Sequence, residues 1–462
     1  MPFSPLEEQL CRNIEARFPK MVSDLAELVA MPTGFNNYRG LKSARDWFSR
    51  RFVLINAQNS TGGGGERPRW YGGPDALKNP RSLSAKPRPQ DRAPVSLISR
   101  RFNREAAATV LLSGHLDTVF PPIGVFQHEL VYSPDRKFAT GPGCIDMKGG
   151  LVVALHALEA LYELKVPVSW GFVLNCDEET GSFWSDSTLR REASTLADRK
   201  GNHRYSVGLV FEPAPENQTL VVERPGSAQF IVEVFGVPAH AGRDYLKGAS
   251  AVHELARIIT AIEEAAKPAE GLIVNFGPLM GADTTNIVAD RAAAWGNMRY
   301  PNKEVGQRLT DFMLSLQRNG PTPADGKTPA SCGVAIDIVF NRPAKPNTPA
   351  VSAFANFAMN LSAEFGQPLK PGKTGGVCDG NNIQAAGLPV IDTLGVRGSG
   401  MHTRNETIEL ASIVDRAKLA AVLISRLCAG ELNDDLARLR LANPPSADQT
   451  ESATPKLRLV GP

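Results

Sequence analysis

Apolar residues recur at helical spacing through residues 6–30, at Leu6, Leu10, Ile14 and Phe18 and then at Val22, Leu25, Leu28 and Val29. Met31-Pro32-Thr33-Gly34 ends that pattern, as proline and glycine commonly do. A second helix is expected over 40–53. From residue 109 the rhythm changes to short, almost wholly apolar runs alternating with longer helical patterns. Strands are expected at Thr109–Ser113, Ser169–Asn175, Val207–Phe211 and Pro389–Leu394, and a helix at Leu151–Leu164. A last helix runs from Leu410 to about Leu441, broken near Gly430. Buried strands separated by helices imply an α/β domain with a mostly parallel sheet covered on both faces. Within it, residues 222–341 carry an order of their own: strand Ala228–Phe235, helix Ala249–Ala266, strands Gly271–Phe276 and Asn286–Tyr300, helix Glu304–Gln317, strand Gly333–Phe340. That βαββαβ order is the split ferredoxin-like unit. The expected architecture is a catalytic domain, residues 1–221 and 342–462, with a smaller α+β domain, residues 222–341, inserted into it.

Composition narrows the setting. A chain of 462 residues is long for one core, which agrees with two domains. Hydrophobic residues at 42% and charged residues at 21% describe a globular protein. No apolar run approaches the roughly 18–20 residues that span a bilayer, so no membrane partner is expected. The start, MPFSPLEEQLCRNIEARFPKM, lacks the apolar stretch and small-residue cleavage site of a secretory signal, and a cytoplasmic location is expected. The six cysteines are scattered without C-x-x-C pairs and read as reduced thiols. Residues 60–94, rich in Gly, Pro and Arg, read as a flexible surface insertion. That segment holds seven Lys/Arg against three Asp/Glu, while the chain's net charge is only +3. The basicity is thus a loop property, and no nucleic-acid groove is expected.

Candidate chemistry gathers at strand ends. Of seven histidines, His115 follows the strand TVLLS in Gly114-His115-Leu116-Asp117, where α/β sheets place their ligands. Asp117, two residues on, is placed to orient its imidazole. Asp146 sits in Gly141-Pro142-Gly143-Cys144-Ile145-Asp146-Met147-Lys148-Gly149-Gly150, just before a helix. It is either a helix cap or a carboxylate whose two oxygens bridge two metals. Asp177, Glu178 and Glu179 follow the strand WGFVLN, and three adjacent acids repel unless something cationic is near. A solvated acidic turn is the alternative. Glu212 ends another apolar strand, where an unpaired carboxylate is costly. His402 lies in the glycine-rich turn after PVIDTL. Together these residues point to a metal site.

The segments SGHLDTVFP, GPGCIDMKGG, NCDEETGS, VFEPA, PAHAG, NMRY, TGGVCDGN and GMHTRNE resemble, in order, those of the zinc exopeptidases and deacylases. That family includes glutamate carboxypeptidase (carboxypeptidase G), acetylornithine deacetylase and succinyl-diaminopimelate desuccinylase. The resemblance runs from about 113 to 406 and is nearest the glutamate carboxypeptidase branch. It implies two Zn2+, with Co2+ or Mn2+ as substitutes. Asp146 would bridge both ions, His115 and Glu212 would complete one site, and Glu179 and His402 the other. It also implies Glu178 as general base, Asp117 as the residue orienting His115, and the inserted domain as a lid that pairs two chains into a homodimer. His240 in PAHAG would polarise the scissile carbonyl, Arg299 would grip the substrate carboxylate, and Asn286 and Gly376 would touch substrate. The substrate expected is a small peptide with a C-terminal glutamate-like residue, or alternatively an N-acyl amino acid. A non-catalytic binding protein on the same scaffold is a further alternative, though no ligand residue is missing. Cys378 departs from the family, which often has a small hydroxyl residue there, and Cys144 stands two residues before Asp146.

Overall fold

A computed structural model describes residues 3–34, 37–63, 95–121, 128–194, 205–215 and 218–442. Most of the 60–94 insertion, His203 and the tail after 442 lie outside the described residues. The described residues fall into two compact units, the second being Pro225–Ala344 and the first the remainder. Among the described residues, no helix is long and apolar enough to cross a membrane.

In the first unit the chain opens with helices α1 (Pro5–Ala16), α2 (Phe18–Val29) and α3 (Tyr38–Leu54). The apolar run through residues 6–30 is thus two helices. Pro19 fixes a helical φ but brings no N–H, which suits the first turn of a new helix and not the interior of an old one. Ser4 caps α1 through a capping box with Glu7. Strands β1 (Gln58–Gly62), β2 (Ser96–Arg101), β3 (Thr109–His115), β4 (Val131–Tyr132) and β5 (Phe138–Thr140) follow, then a tight turn at Cys144–Lys148 and helix α4 (Gly149–Glu163). Next come β6 (Ser169–Asn175), α5 (Asp186–Ala193), β7 (Val207–Val210) and β8 (Thr219–Glu223).

After the second unit the chain returns with α8 (Pro349–Glu364), β13 (Lys370–Lys373), α9 (Asp379–Ala385), β14 (Val390–Ile391), β15 (Gly398–Ser399) and β16 (Thr407–Glu409). It ends with α10 (Ala411–Cys428) and α11 (Asn433–Ala442). The expected strand at Pro389–Leu394 is only two residues long, because the chain turns at Asp392 and at Thr393, whose φ is +65°.

The central sheet runs β1-β2-β6-β3-β7-β14. The pairs β6–β3, β3–β7 and β7–β14 are parallel, and β1 and β2 add an antiparallel edge. Val110, Leu112, Phe172 and Leu174 are at most 0% exposed, and each buried side chain of this size contributes about 1.5–3 kcal/mol. Helix α4 is buried along Leu151–Leu158, including His156, which explains why its sequence is apolar nearly all round. Parallel alignment puts the carboxyl ends of β3, β6 and β7 side by side, and His115, Glu179 and Glu212 leave the sheet there. A second small sheet, β15-β16-β5-β4, carries the 400–406 loop.

The second unit contains β9 (Gly226–Phe235), α6 (Ala251–Ala265), β10 (Ile273–Met280), β11 (Arg291–Tyr300), α7 (Lys303–Ser315) and β12 (Gly333–Arg342), a βαββαβ order. Its antiparallel sheet runs β10-β11-β9-β12. Phe230, Val232 and Val234 pack with Leu255, Ile258 and Ile262 of α6 in a core of its own.

Candidate metal centre

His115 is the last residue of β3 and is 1% exposed. Its Nδ1 lies 2.9 Å from the carbonyl oxygen of Asp117, with the Asp117 carboxylate at 3.5 Å. Donation to the carbonyl fixes the proton on Nδ1 and leaves Nε2 a lone pair, the arrangement a metal-binding imidazole needs. The carboxylate of Asp117 is engaged elsewhere: it accepts from the backbone N–H of Glu178 at 3.2 Å and of Glu179 at 2.9 Å. Asp117 therefore locks the acidic turn after β6 against the end of β3.

Asp146 sits in the 144–148 turn with non-helical backbone angles, so it is not a simple helix cap. Its two oxygens face different histidines. Oδ1 lies 3.2 Å from His115 Nε2 and Oδ2 lies 3.2 Å from His402 Nε2. Glu212, two residues past β7, brings Oε1 to 4.0 Å from His115 Nε2. Glu179 brings Oε2 to 3.4 Å from His402 Nε2. Ligand atoms of His115, Asp146 and Glu179 all lie within 4.8 Å of one another. His402 adopts a left-handed backbone, φ +62°, beside Gly400 at φ +73°. Few side-chain-bearing residues take that conformation, and in this turn it marks a site held by its surroundings.

The electrostatics are those of a group short of positive charge. Burial pushes Glu179 up to about 8, with His402 opposing. Burial, reinforced by Asp146, takes Glu212 well above the carboxylate range. His402 is raised to about 10 by its contacts with Asp146 and Glu179. His115 is also raised: burial opposes its charging, but Asp117 and Asp146 outweigh that. Asp146, despite its burial, is held below the carboxylate range by the two imidazoles. Glu179 Oε1 is buried and has no hydrogen-bond partner among the described residues. A divalent cation would satisfy the oxygen, the clustered carboxylates and both lone pairs at once, so the donor set fits one.

The acids after β6 divide. Asp177 is buried, accepts from the Trp184 N–H at 2.8 Å and is pushed up to about 7, chiefly by burial. It closes its own turn. Glu178 is half-buried and stands outside the close ligand atoms.

In the second unit, His240 is exposed and its Nδ1 accepts from the N–H groups of Gly242 and Arg243 at 3.1 and 3.2 Å. A neutral ring so held carries its proton outward on Nε2, as a donor. The Asn286 carbonyl accepts from the Ala241 N–H at 3.0 Å, so His240 and Asn286 sit on adjoining segments. Arg299 does not join them. It pairs with Ser227 at one end of β9, while Arg291 pairs with Phe235 at the other. Those eight residue steps span about 27 Å at ~3.4 Å per residue. Gly376 is exposed, and its carbonyl accepts from Arg224 Nη1 at 3.2 Å.

Sequence reasoning passed over three groups. Arg224 makes a bidentate contact to buried Asp392 at 2.9 and 2.8 Å, and so anchors the Gly376 strip. Glu406, 0% exposed, receives three backbone N–H groups of the Asp146 turn. Lys148, 3% exposed, donates to the carbonyls of Met31 and Pro142 and is lowered to about 8 by burial. Most of their partners are remote in sequence or are backbone groups, so local sequence carried little signal beyond the charge itself. The two suspect cysteines are structural. Cys144 is fully buried and points its thiol at the Glu406 carbonyl at 3.4 Å. Cys378, 1% exposed, caps α9 through its sulfur, so the departure from the family falls on a helix cap.

Residues 111–426 match the profile of peptidase family M20/M25/M40. The chain belongs to that family. It is a metal-dependent hydrolase of the peptidase and amidohydrolase kind. Carboxypeptidase G2 of Pseudomonas sp. (strain RS-16) is 29% identical over 340 residues, covering 72% of this chain and 77% of that protein. Succinyl-diaminopimelate desuccinylase of Corynebacterium glutamicum is 25% identical over 343 residues, covering 71% and 84%. Among solved structures, a tripeptidase from Staphylococcus aureus matches with a TM-score of 0.66 at 20% identity, over 89% of this chain and 99% of that one. An M20 metallo-carboxypeptidase from Sulfolobus solfataricus matches with a TM-score of 0.62 at 14% identity, over 88% and 98%. These structural likenesses speak for the fold.

Proposed function

We propose that this family member is a di-zinc hydrolase that cleaves an amide bond next to a free C-terminal carboxylate, in the manner of a glutamate carboxypeptidase. The observation that carries the reading is the split of Asp146, one oxygen toward His115 and the other toward His402. One metal position is assigned to His115, Asp146 and Glu212, the other to Asp146, Glu179 and His402. Bound there, zinc supplies Lewis acidity, activating water and stabilising the oxyanion of the tetrahedral transition state. Glu178 takes the proton of the attacking water and returns it to the leaving nitrogen, its turn held by Asp117. His240 donates its Nε2–H to the scissile carbonyl, Arg299 binds the carboxylate through its planar fork, and Asn286 and Gly376 position the substrate.

The separation of Arg299 from His240 within one chain supports a homodimer, with His240 and Asn286 from one copy and Arg299 from the other serving one substrate. Exposed Ile273 and Leu279 on the edge strand β10 suit such pairing, since proteins cover apolar edges. Sedimentation at the mass of a single 49.8 kDa chain at working concentration would remove this part. A cytoplasmic location is part of the same proposal.

The desuccinylase relatives favour a second reading, an N-acyl-amino-acid deacylase. Release assays on peptides and N-acyl compounds ending in glutamate, against acetylated and succinylated diamino acids, separate the two. Glutamate release at the higher kcat/KM is expected. Faster deacylation of the diamino acids gives the second reading, and inactivity on both panels removes both.

A further inference from the structure

We propose that Glu406 is a positioning residue that joins the two halves of the metal centre before any metal binds. This inference rests on the metal reading above. Glu406 ends the loop that carries His402, four residues earlier, and its side chain crosses to the turn that carries Asp146. Oε2 accepts from the Gly143 N–H at 2.9 Å, and Oε1 accepts from the N–H groups of Ile145 at 2.8 Å and Asp146 at 3.0 Å. Its main chain completes the seam: the Glu406 carbonyl accepts from the Gly141 N–H at 3.2 Å and from the Cys144 thiol at 3.4 Å.

Three amides converging on one carboxylate form a concave anion site built from the turn itself. Charge-assisted bonds of this kind are among the strongest available to a backbone. The observed shape of the turn depends on a glycine. Gly143 has φ +72°, and a Cβ there would meet Thr118 Cγ2 at 2.5 Å. At the other end of the seam the loop is equally set: the Thr403 N–H donates to Gly400 and the Glu406 N–H to Thr403, closing the turn around left-handed His402. Asp146 and His402 are 256 residues apart in sequence and must meet to within 3.2 Å. Glu406 supplies the direct tie between their backbones. It touches no ligand atom facing the metal and acts through the placement of Asp146, so its loss is read in metal affinity and turnover rather than in substrate binding.

The test compares wild type, Glu406→Ala and Glu406→Gln. Zinc affinity is measured by competition with a chromophoric chelator, and amide hydrogen exchange at residues 143–146 is followed in the metal-free protein. Partners that orient metal ligands typically change affinity about 10- to 100-fold when removed. Glu406→Ala is expected to weaken zinc by that factor and to lower kcat with KM nearly unchanged at limiting zinc. Glu406→Gln keeps one acceptor oxygen for Ile145 and Asp146, and is expected to fall between, with faster exchange at Gly143. Zinc affinity and exchange in Glu406→Gln equal to wild type overturn the proposal, even if Glu406→Ala fails to fold. Absence of zinc binding by wild type would instead sink the metal reading, while the exchange result still judges the tie.

Discussion

Asp117 receives the amides of both Glu178 and Glu179, yet the two side chains take different surroundings. Glu179 turns toward His402 with an orphaned buried oxygen, whereas Glu178 stays half-buried outside the ligand set. A carboxylate bound to metal is a poor proton shuttle, and on that ground we propose Glu178 as the base. Glu178→Gln is expected to lower kcat by about 10²–10⁴-fold while metal content stays at the wild-type level. Full activity in that variant would defeat the assignment. At this scale the candidate ligands could be picked out because they stand in glycine-rich turns or just past apolar strands. Glu406, Arg224 and Asp392 were not, because their partners are backbone groups or side chains more than a hundred residues away. No local pattern encodes such pairings.

Between elements, charge does work that the apolar pattern could not reveal. Asp24 of α2, 0% exposed, meets His156 of α4 at 2.9 Å, Arg51 of α3 at 2.6 Å and Lys20 at 2.5 Å. Burial alone would raise its pKa, but hydrogen bonds from His156, Lys20 and Arg51 take it well below the usual carboxylate range. A depressed folded-state value means the stabilisation is fully present above the unfolded value of about 4 and is lost as pH falls toward the folded one. Denaturant unfolding at a series of pH values is expected to show this acid loss in wild type. Asp24→Asn should be less stable by about 3 kcal/mol near neutrality, with the acid-dependent part reduced. Identical curves for the two proteins would count against the network. The periodic elements themselves were legible, β6 to its residue bounds. The division of residues 6–30 into two helices was not, since the apolar stripe continues across Arg17 while the helix axis does not. The short strands β4, β5, β8 and β13 were also missed: each has only two to five residues, too few to show a period, and β8 pairs with β13 from far along the chain.

For the whole molecule, the chain is a metal-dependent hydrolase of the M20/M25/M40 peptidase family with a mostly parallel α/β sheet. The fold class followed from strand–helix alternation, and the inserted βαββαβ order from its own repeat of apolar runs. The substrate did not follow, because no local pattern links Arg299, paired with Ser227 at one end of β9, to His240, which lies past the other end. The central claim is that five side chains on separate strand ends and loops hold two metals around Asp146. It is tested most directly by elemental analysis of the purified protein before and after chelation, with hydrolysis of a glutamate-terminated substrate followed through zinc re-addition. About two zinc ions per chain are predicted, with activity lost on chelation and restored by zinc. Less than about one ion per chain, with hydrolysis indifferent to the chelator, would contradict the account.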